Sequence, residues 1–261
     1  VIRIAATADI HFNRNSLNRL RPYLHGLEER ADVLLVAGDL TVAGLPEEAM
    51  VVARELSGAR VPVVAVLGNH DYHQNKQREI ETILRDSGVI VLEGNNVVLK
   101  VGKHSVGIAG MKGFGGGFFG ACVTEFGEPE LKAFARHSRI QASILRQSLL
   151  SLDTDFRFAL THYAPVEGTL LGELREIYPF LGSYLLAEAI DACGVQAGFH
   201  GHAHSGTEKG QTKGGVPIRN VAQMVIGHAY NVYSFELPVP HVTGSDFRPL
   251  ESPTQNAASM L

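Results

Sequence analysis

Five apolar runs in this 261-residue chain each stop at residues able to bind a metal or carry a proton, and that recurrence limits the fold more than any other feature. Ile2-Arg3-Ile4-Ala5-Ala6 leads to Asp9 and His11, and Val33-Leu34-Leu35-Val36-Ala37 leads to Gly38-Asp39. Val61-Pro62-Val63-Val64-Ala65-Val66 leads to Leu67-Gly68-Asn69-His70-Asp71. Phe156-Arg157-Phe158-Ala159-Leu160 leads to Thr161-His162, and Val195-Gln196-Ala197-Gly198-Phe199 leads to His200-Gly201-His202-Ala203-His204. A β-branched run that ends in glycine reads as a buried strand passing into a tight loop. Asp, His and Asn at five such stops are expected where ligands converge on the carboxyl edge of a sheet.

Between the strands the pattern turns helical. Leu17, Leu20, Leu24 and Leu27 predict a helix from about Ser16, as N-cap, to Glu29. Pro46, followed by Glu47 and Glu48, marks the start of a second helix. A third is expected over 76–86, with Ile80, Ile83, Leu84 and Ser87 on one face. Strands alternating with helices indicate an α/β architecture, largely parallel in this half. Short strands at Val89–Leu92, Val97–Val101 and Ser105–Ala109 follow, with Glu93-Gly94-Asn95-Asn96 and Gly102-Lys103-His104 as hairpin turns. The glycine- and phenylalanine-rich segment 111–120 is expected to be a mobile loop near the site. Helices over 128–151 (stripe Ile140, Ile144, Leu145, Leu149) and 181–193, and strands 218–222 and 231–237, complete a single domain over 1–237. Residues 238–261, rich in Pro, Ser and Thr, read as a tail.

Bulk properties narrow the partners. A net charge of −4 offers no general attraction for nucleic acid or an anionic membrane. No apolar stretch approaches the roughly 20 residues that span a bilayer. Two cysteines, Cys122 and Cys193, make no disulfide framework, so a reducing, cytoplasmic setting is expected. The sequence does not set the oligomeric state.

Asp9, His11, Asp39, Asn69, His162, His202 and His204 make seven hard or borderline donors and no thiolate. One divalent ion takes about four to six ligands, some of them water, so seven donors suit two ions. A carboxylate can bridge two metals, a part that suits Asp39. Imidazole mixed with carboxylate favours Mn, Fe or Zn over Ca or Mg. Two ions about 3.5–4 Å apart hold a bridging hydroxide for in-line displacement at phosphorus. His70 is surplus to coordination and stands ready to protonate the leaving oxygen.

These motifs resemble the calcineurin-like metallophosphoesterases. That family's pattern, D-x-H, G-D, G-N-H-[DE], a lone H and G-H-x-H, is matched in order by Asp9-Ile10-His11, Gly38-Asp39, Gly68-Asn69-His70-Asp71, His162 and Gly201-His202-Ala203-His204. The resemblance implies a four-layer α/β/β/α sandwich with two central mixed sheets. It also implies that Asp9, His11, Asp39 and His204 hold one metal, that Asp39 (bridging), Asn69, His162 and His202 hold the second, and that His70 is the acid. Val42 stands where purple acid phosphatases have tyrosine, and Leu40-Thr41-Val42-Ala43 lacks the acidic and arginine residues of protein phosphatases. Asp71 is the neighbouring candidate to orient His70. Arg14 and Lys112 are candidate phosphate clamps, and His200 is expected to be buried rather than a ligand. A small phosphodiester is the expected substrate; a phosphomonoester is the alternative, and a nuclease role is disfavoured by the charge. The full donor set and an intact His70 disfavour a non-catalytic scaffold.

Overall fold

The computed structural model describes residues 1–237; the expected tail, 238–261, lies outside the described residues. In chain order the elements are β1 (Ile2–Thr7), α1 (Arg21–Leu24), α2 (Leu27–Arg30), β2 (Val33–Ala37), α3 (Pro46–Leu56), β3 (Val63–Val66), α4 (Gln77–Asp86), β4 (Ile90–Val91), β5 (Asn95–Val101) and β6 (His104–Met111). They continue with β7 (Gly117–Phe118), β8 (Ala121–Cys122), α5 (Pro129–Leu150), β9 (Phe156–Thr161), α6 (Tyr178–Leu181), α7 (Tyr184–Asp191), β10 (Ala197–His200), β11 (Lys209–Gln211), β12 (Pro217–Asn220), α8 (Gln223–Ile226) and β13 (Asn231–Phe235).

One sheet has the order β13-β1-β2-β3-β4, parallel apart from β13. The second, β11-β12-β10-β9-β6-β5, is parallel through its centre and antiparallel at both edges. Strand alternation sorts side chains into layers. Ile4, Ala6, Val33 and Leu35 meet Ile108, Phe156, Phe158 and Leu160 between the sheets. The opposite-facing Ala5, Leu34 and Val36 pack under Val52, Leu56, Ile80 and Leu84 of α3 and α4. On the far side Ala109 and Ala159 lie under Leu145, Leu149, Leu186 and Ile190 of α5 and α7. The result is the expected helix–sheet–sheet–helix sandwich.

Several local expectations need correction. The helix predicted over 16–29 is two single turns. Gly26 between them takes φ +68°, a left-handed conformation that ends the first turn. Ser16 does not cap it; its Oγ accepts the Asn13 N–H at 3.0 Å. The chain here wraps the buried Glu55 carboxylate, which accepts the N–H groups of Asn18, Leu20 and Arg21 at 2.7–2.9 Å. Leu20, Leu24 and Leu27 stay buried, whereas Leu17 is exposed.

Residues 93–96 are not a hairpin turn. β4 pairs parallel with β3 while β5 pairs antiparallel with β6, so this segment carries the chain from one sheet to the other. Ser87 and Ile140 are exposed: Ser87 lies past the end of α4, where its Oγ donates to the Leu84 carbonyl at 2.7 Å, and Ile140 is on the solvent side of α5. The glycine-rich segment is packed rather than free. Gly116 and Gly117 donate to the carbonyls of Pro179 and Gly182 at 2.7 and 2.9 Å, and Phe118 is buried.

Candidate metal centre

The loops after β1 and β2 extend the sheet pairing beyond the strands. Asp9 N–H donates to Gly38 at 3.0 Å, and His11 N–H to Asp39 at 3.1 Å. Six non-glycine residues among those described have positive φ, and four of them are predicted donors: Asp9 (55°), His11 (44°), Asp39 (49°) and His202 (70°). Left-handed backbone at such residues costs of the order of 1 kcal/mol or more each, and it persists where the surroundings enforce it, as at functional sites. Here it turns the side chains inward. Glycine permits the close approach. A Cβ on Gly68 would collide with the Asp39 carboxylate, and one on Gly201 with that of Asp9. These two glycines are thus floors under carboxylates from other motifs, and Gly38 in the same way lies under the His162 ring.

All seven predicted donors converge. Ligand atoms of Asp9, His11, Asp39 and His204 lie within 4.8 Å of one another, as do those of Asp39, His162 and His202. Asp39 belongs to both groups. His204 Nε2 is 2.9 Å from Asp9 Oδ1, and His11 Nε2 is 3.7 Å from Asp39 Oδ2. His162 Nε2 is 3.3 Å from Asp39 Oδ1 and 2.9 Å from Asn69 Oδ1, which brings Asn69 into the second group. His162 Nδ1–H donates to the Ala37 carbonyl at 2.9 Å, so Nε2 faces inward. The His202 Nε2–H points at the Phe180 carbonyl, 3.2 Å away, and leaves Nδ1 for the site.

The electrostatics fit a cation. Burial opposes a charge on His162, but the Asp39 carboxylate outweighs it and raises the imidazole to about 9. Burial also works against ionised Asp39, yet His162 and the His70 N–H hold it well below the usual carboxylate range. A hydrogen bond donated to Asp9 raises His204. Burial drives His202 down to about 3. Asp39 is thus kept ionised by a proton on His162 that stands where a metal would. Carboxylate, imidazole and amide donors without thiolate make a divalent-metal site.

A family model for calcineurin-like phosphoesterases matches residues 2–206. The chain belongs to that family. It is a metal-dependent phosphoesterase, a hydrolase. Over 48 residues it is 44% identical to a glycerophosphodiester phosphodiesterase, GpdQ, of Enterobacter lignolyticus (strain SCF1); the match spans 18% of this chain and 17% of the relative. Among solved structures it is similar to the phosphopantetheinyl hydrolase PptH of Mycobacterium tuberculosis, with a TM-score of 0.61, 16% identity, and 84% and 88% of the two chains covered. It is also similar to the protein TT1561 of Thermus thermophilus, with a TM-score of 0.54, 16% identity, and 86% and 90% covered. At these identities the structural likeness shows the fold. No helix of the described residues is long and apolar enough to cross a membrane.

Around this phosphoesterase's donors the fold supplies partners that the sequence did not single out, the Val42 carbonyl first. His70 Nδ1–H donates to the Val42 carbonyl at 2.7 Å, so a backbone oxygen orients the ring. Asp71, the candidate for that part, is fully buried and instead accepts from Leu40 N, Thr41 N, Thr41 Oγ1 and Gly68 N at 2.6–3.2 Å. It ties the Asp39 loop to the Asn69 loop, and burial beside Asp39 pushes its pKa to about 6. His200 is buried between the Gly201 carbonyl and Thr169 Oγ1, apart from the donors as expected. Arg14 is exposed and pairs with Glu47 at 3.5 Å, so it is not held over the site. The Tyr163 ring lies 4.4 Å from that of His202, and the His73 ring lies tilted 4.4 Å from that of His70.

Proposed function

We propose that residues 1–237, acting as a single domain, hydrolyse small phosphodiesters with two transition-metal ions. Asp9, His11, Asp39 and His204 hold one; Asp39, Asn69, His162 and His202 hold the other. Manganese is the expected metal, with iron or zinc as alternatives. The observation that carries this reading is the Asp39 carboxylate shared by both donor groups, with His70 Nε2 3.9 Å from its Oδ2. Bound ions would supply charge neutralisation at phosphorus and an activated water.

The protein's own groups do the rest. The Val42 carbonyl accepts a hydrogen bond from His70 Nδ1–H, which leaves Nε2 free to hold the proton for the departing ester oxygen. Asp71 keeps the loops carrying Asp39 and Asn69 in fixed relation. The segment that contacts His202 through the Phe180 carbonyl exposes Phe180, Leu174 and Leu171. That apolar rim suits the second ester arm of a diester, and the relative named as a glycerophosphodiester phosphodiesterase supports the same choice. Unpaired Cys122 and Cys193 suit a cytoplasmic setting.

The test is kcat/KM for bis-nitrophenyl phosphate against nitrophenyl phosphate, at one Mn concentration and pH, repeated with a 2′,3′-cyclic nucleotide. Diesters should be cleaved at least as well as the monoester. A monoester preference beyond about 100-fold, some 2.7 kcal/mol of transition-state discrimination, makes the protein a phosphomonoesterase.

A further inference from the structure

Lys112 closes the gap between β6 and the glycine-rich segment, and its backbone carbonyl accepts the N–H groups of both His162 and Tyr163 at 3.0 Å. Its side chain is half-buried, and its surroundings are unusual for a lysine. The ammonium lies 5.0 Å from the Tyr72 ring centroid, 5.2 Å from that of Tyr163 and 5.4 Å from that of Phe114. Ring faces attract a cation but accept no conventional hydrogen bond. An ammonium carries three donors. One reaches the Gly113 carbonyl at 3.2 Å; the other two have no protein acceptor among the described residues.

Carboxylates do not neutralise it. Glu93 acts on Lys112 electrostatically, but its oxygens are taken by Leu67 N–H at 3.3 Å and Tyr72 O–H at 2.9 Å. Burial lowers the lysine's pKa, while Glu93 and Asp39 both pull it upward. Two of the three cage walls come from the donor loops themselves, and Phe114 comes from the glycine-rich segment. Tyr72 follows His70 by two residues, and Tyr163 follows His162 and packs on His202. A cation so placed, half-buried among rings and short of protein acceptors, is favoured by the company of an anion.

We propose that Lys112 is a substrate-binding residue whose ammonium receives a non-bridging phosphoryl oxygen of the substrate, on the Asn69–His162–His202 side of the centre. This rests on the phosphoesterase reading and deepens it. One fixed ammonium matches the single negative charge of a phosphodiester. It also fills the place of the cationic clamp that the sequence after Asp39 lacks.

Orthophosphate is the probe, titrated calorimetrically into Mn-loaded wild type, Lys112→Met and Lys112→Arg, with metal content and melting temperature measured on each. Lys112→Met should keep its metal and bind orthophosphate at least about tenfold more weakly, and Lys112→Arg should recover most of that loss. In hydrolysis of bis-nitrophenyl phosphate the methionine variant should raise KM more than it lowers kcat, as loss of a binding contact does. Unchanged orthophosphate affinity with metal retained would overturn the assignment. Should Lys112→Met fail to fold, amine acylation of Lys112 in Mn-loaded wild type, mapped by mass spectrometry, decides the matter. Saturating orthophosphate should slow it several-fold, and absence of protection would overturn the proposal. A wild type that cleaves no phosphoester refutes the proposed function separately, since the binding and protection measurements need no turnover.

Discussion

On one side of Asp39, His11 and His204 keep 23% and 34% of their side-chain surface in solvent; on the other, His162 keeps none, with His202 and Asn69 half-buried beside it. The exposed group takes its donors from the loops after β1 and β10. Its close contacts are among the donors themselves, such as His204 with Asp9 and His11 with His204 at 3.5 Å. The buried group is braced from behind: Ala37 fixes His162, Phe180 fixes His202, and Tyr163 packs on the His202 ring. Such outer partners set ligand orientation and metal affinity. The difference teaches that the two halves of one centre are built to different rigidity. The buried half should hold its ion tightly and the open half should exchange.

Asp39 abolishes the distinction, because it serves both halves. Asp39→Asn should empty both, as metal analysis will show. The rate should fall by more than the roughly 10²–10⁴-fold attached to a general acid alone. Retention of one ion per chain with near-normal activity would break the two-sided picture. His70 lies on the open side, against the His11 ring at 4.6 Å, without belonging to either donor group. His70→Ala should keep both ions and lose roughly 10²–10⁴-fold in rate on poor leaving groups. The loss should shrink with nitrophenolate; an equal loss on both substrates would mean that His70 donates no proton.

Removing one imidazole from each half tests rigidity directly. His162→Ala leaves the Ala37 carbonyl without its donor in a buried place, at a cost of roughly 1–3 kcal/mol. It should also deplete the inner ion. His11→Ala should deplete the outer ion and cost less stability than His162→Ala, since the His11 ring contacts the His204 ring and its loss orphans no buried carbonyl. Thermal melts with metal analysis separate the two. Chelation of the wild type should run in two phases, the fast one missing from His11→Ala.

The donors were legible in the sequence because metal binding needs particular side chains, and their spacing past five apolar runs carries through to the structure. What escaped is made of backbone and context. Val42 acts on His70 through its carbonyl, which any residue would supply, so no side-chain pattern could reveal it. Asp71 stood in a motif, but only the fold brings Thr41 and Gly68 to it. The leucine spacing over 17–27 is helical, yet Gly26 and the pull of Glu55 on three N–H groups override it. The switch between sheets at 93–96 has the same polar, glycine-containing composition as a hairpin turn. Strand partners, not local propensity, distinguish the two.

The comparison also has a pH form, visible once metal is removed. His162, raised to about 9 by Asp39, contributes stability that is complete below its unfolded value near 6.5 and is lost as pH climbs through about 9. Asp71, raised to about 6, works in the same direction as it ionises, mostly at lower pH. His11, His200 and His202 are lowered by burial, so their contributions are lost only as pH falls below about 6.5, outside this window. Urea midpoints in chelator should therefore decline from about pH 6.5 to about 9.5, and His162→Ala should flatten the decline. The Mn-loaded protein should not show it, since ligand imidazoles must be neutral to bind. A metal-free midpoint that rises with pH would refute the pairing of His162 with Asp39.

The smallest effect is expected at Arg14, where the two sides differ in the cation they present. Arg14 follows His11 by three residues on the open side, and in sequence it looked as able to reach a phosphate as Lys112. In the structure its guanidinium is 67% exposed and faces Glu47 across 3.5 Å, with no ring or carbonyl to hold it over the donors. An exposed pair of this kind is worth about 0.2–1 kcal/mol at most, because water screens it and two long side chains lose freedom to form it. A mobile arginine can visit a bound phosphate, but it must give up hydration each time, so little net affinity is gained. Arg14→Ala should therefore change kcat/KM less than about threefold, under 0.7 kcal/mol, with metal content unchanged. A loss of tenfold or more would place a working cation on the open side, and the two halves would then share the task of holding the substrate.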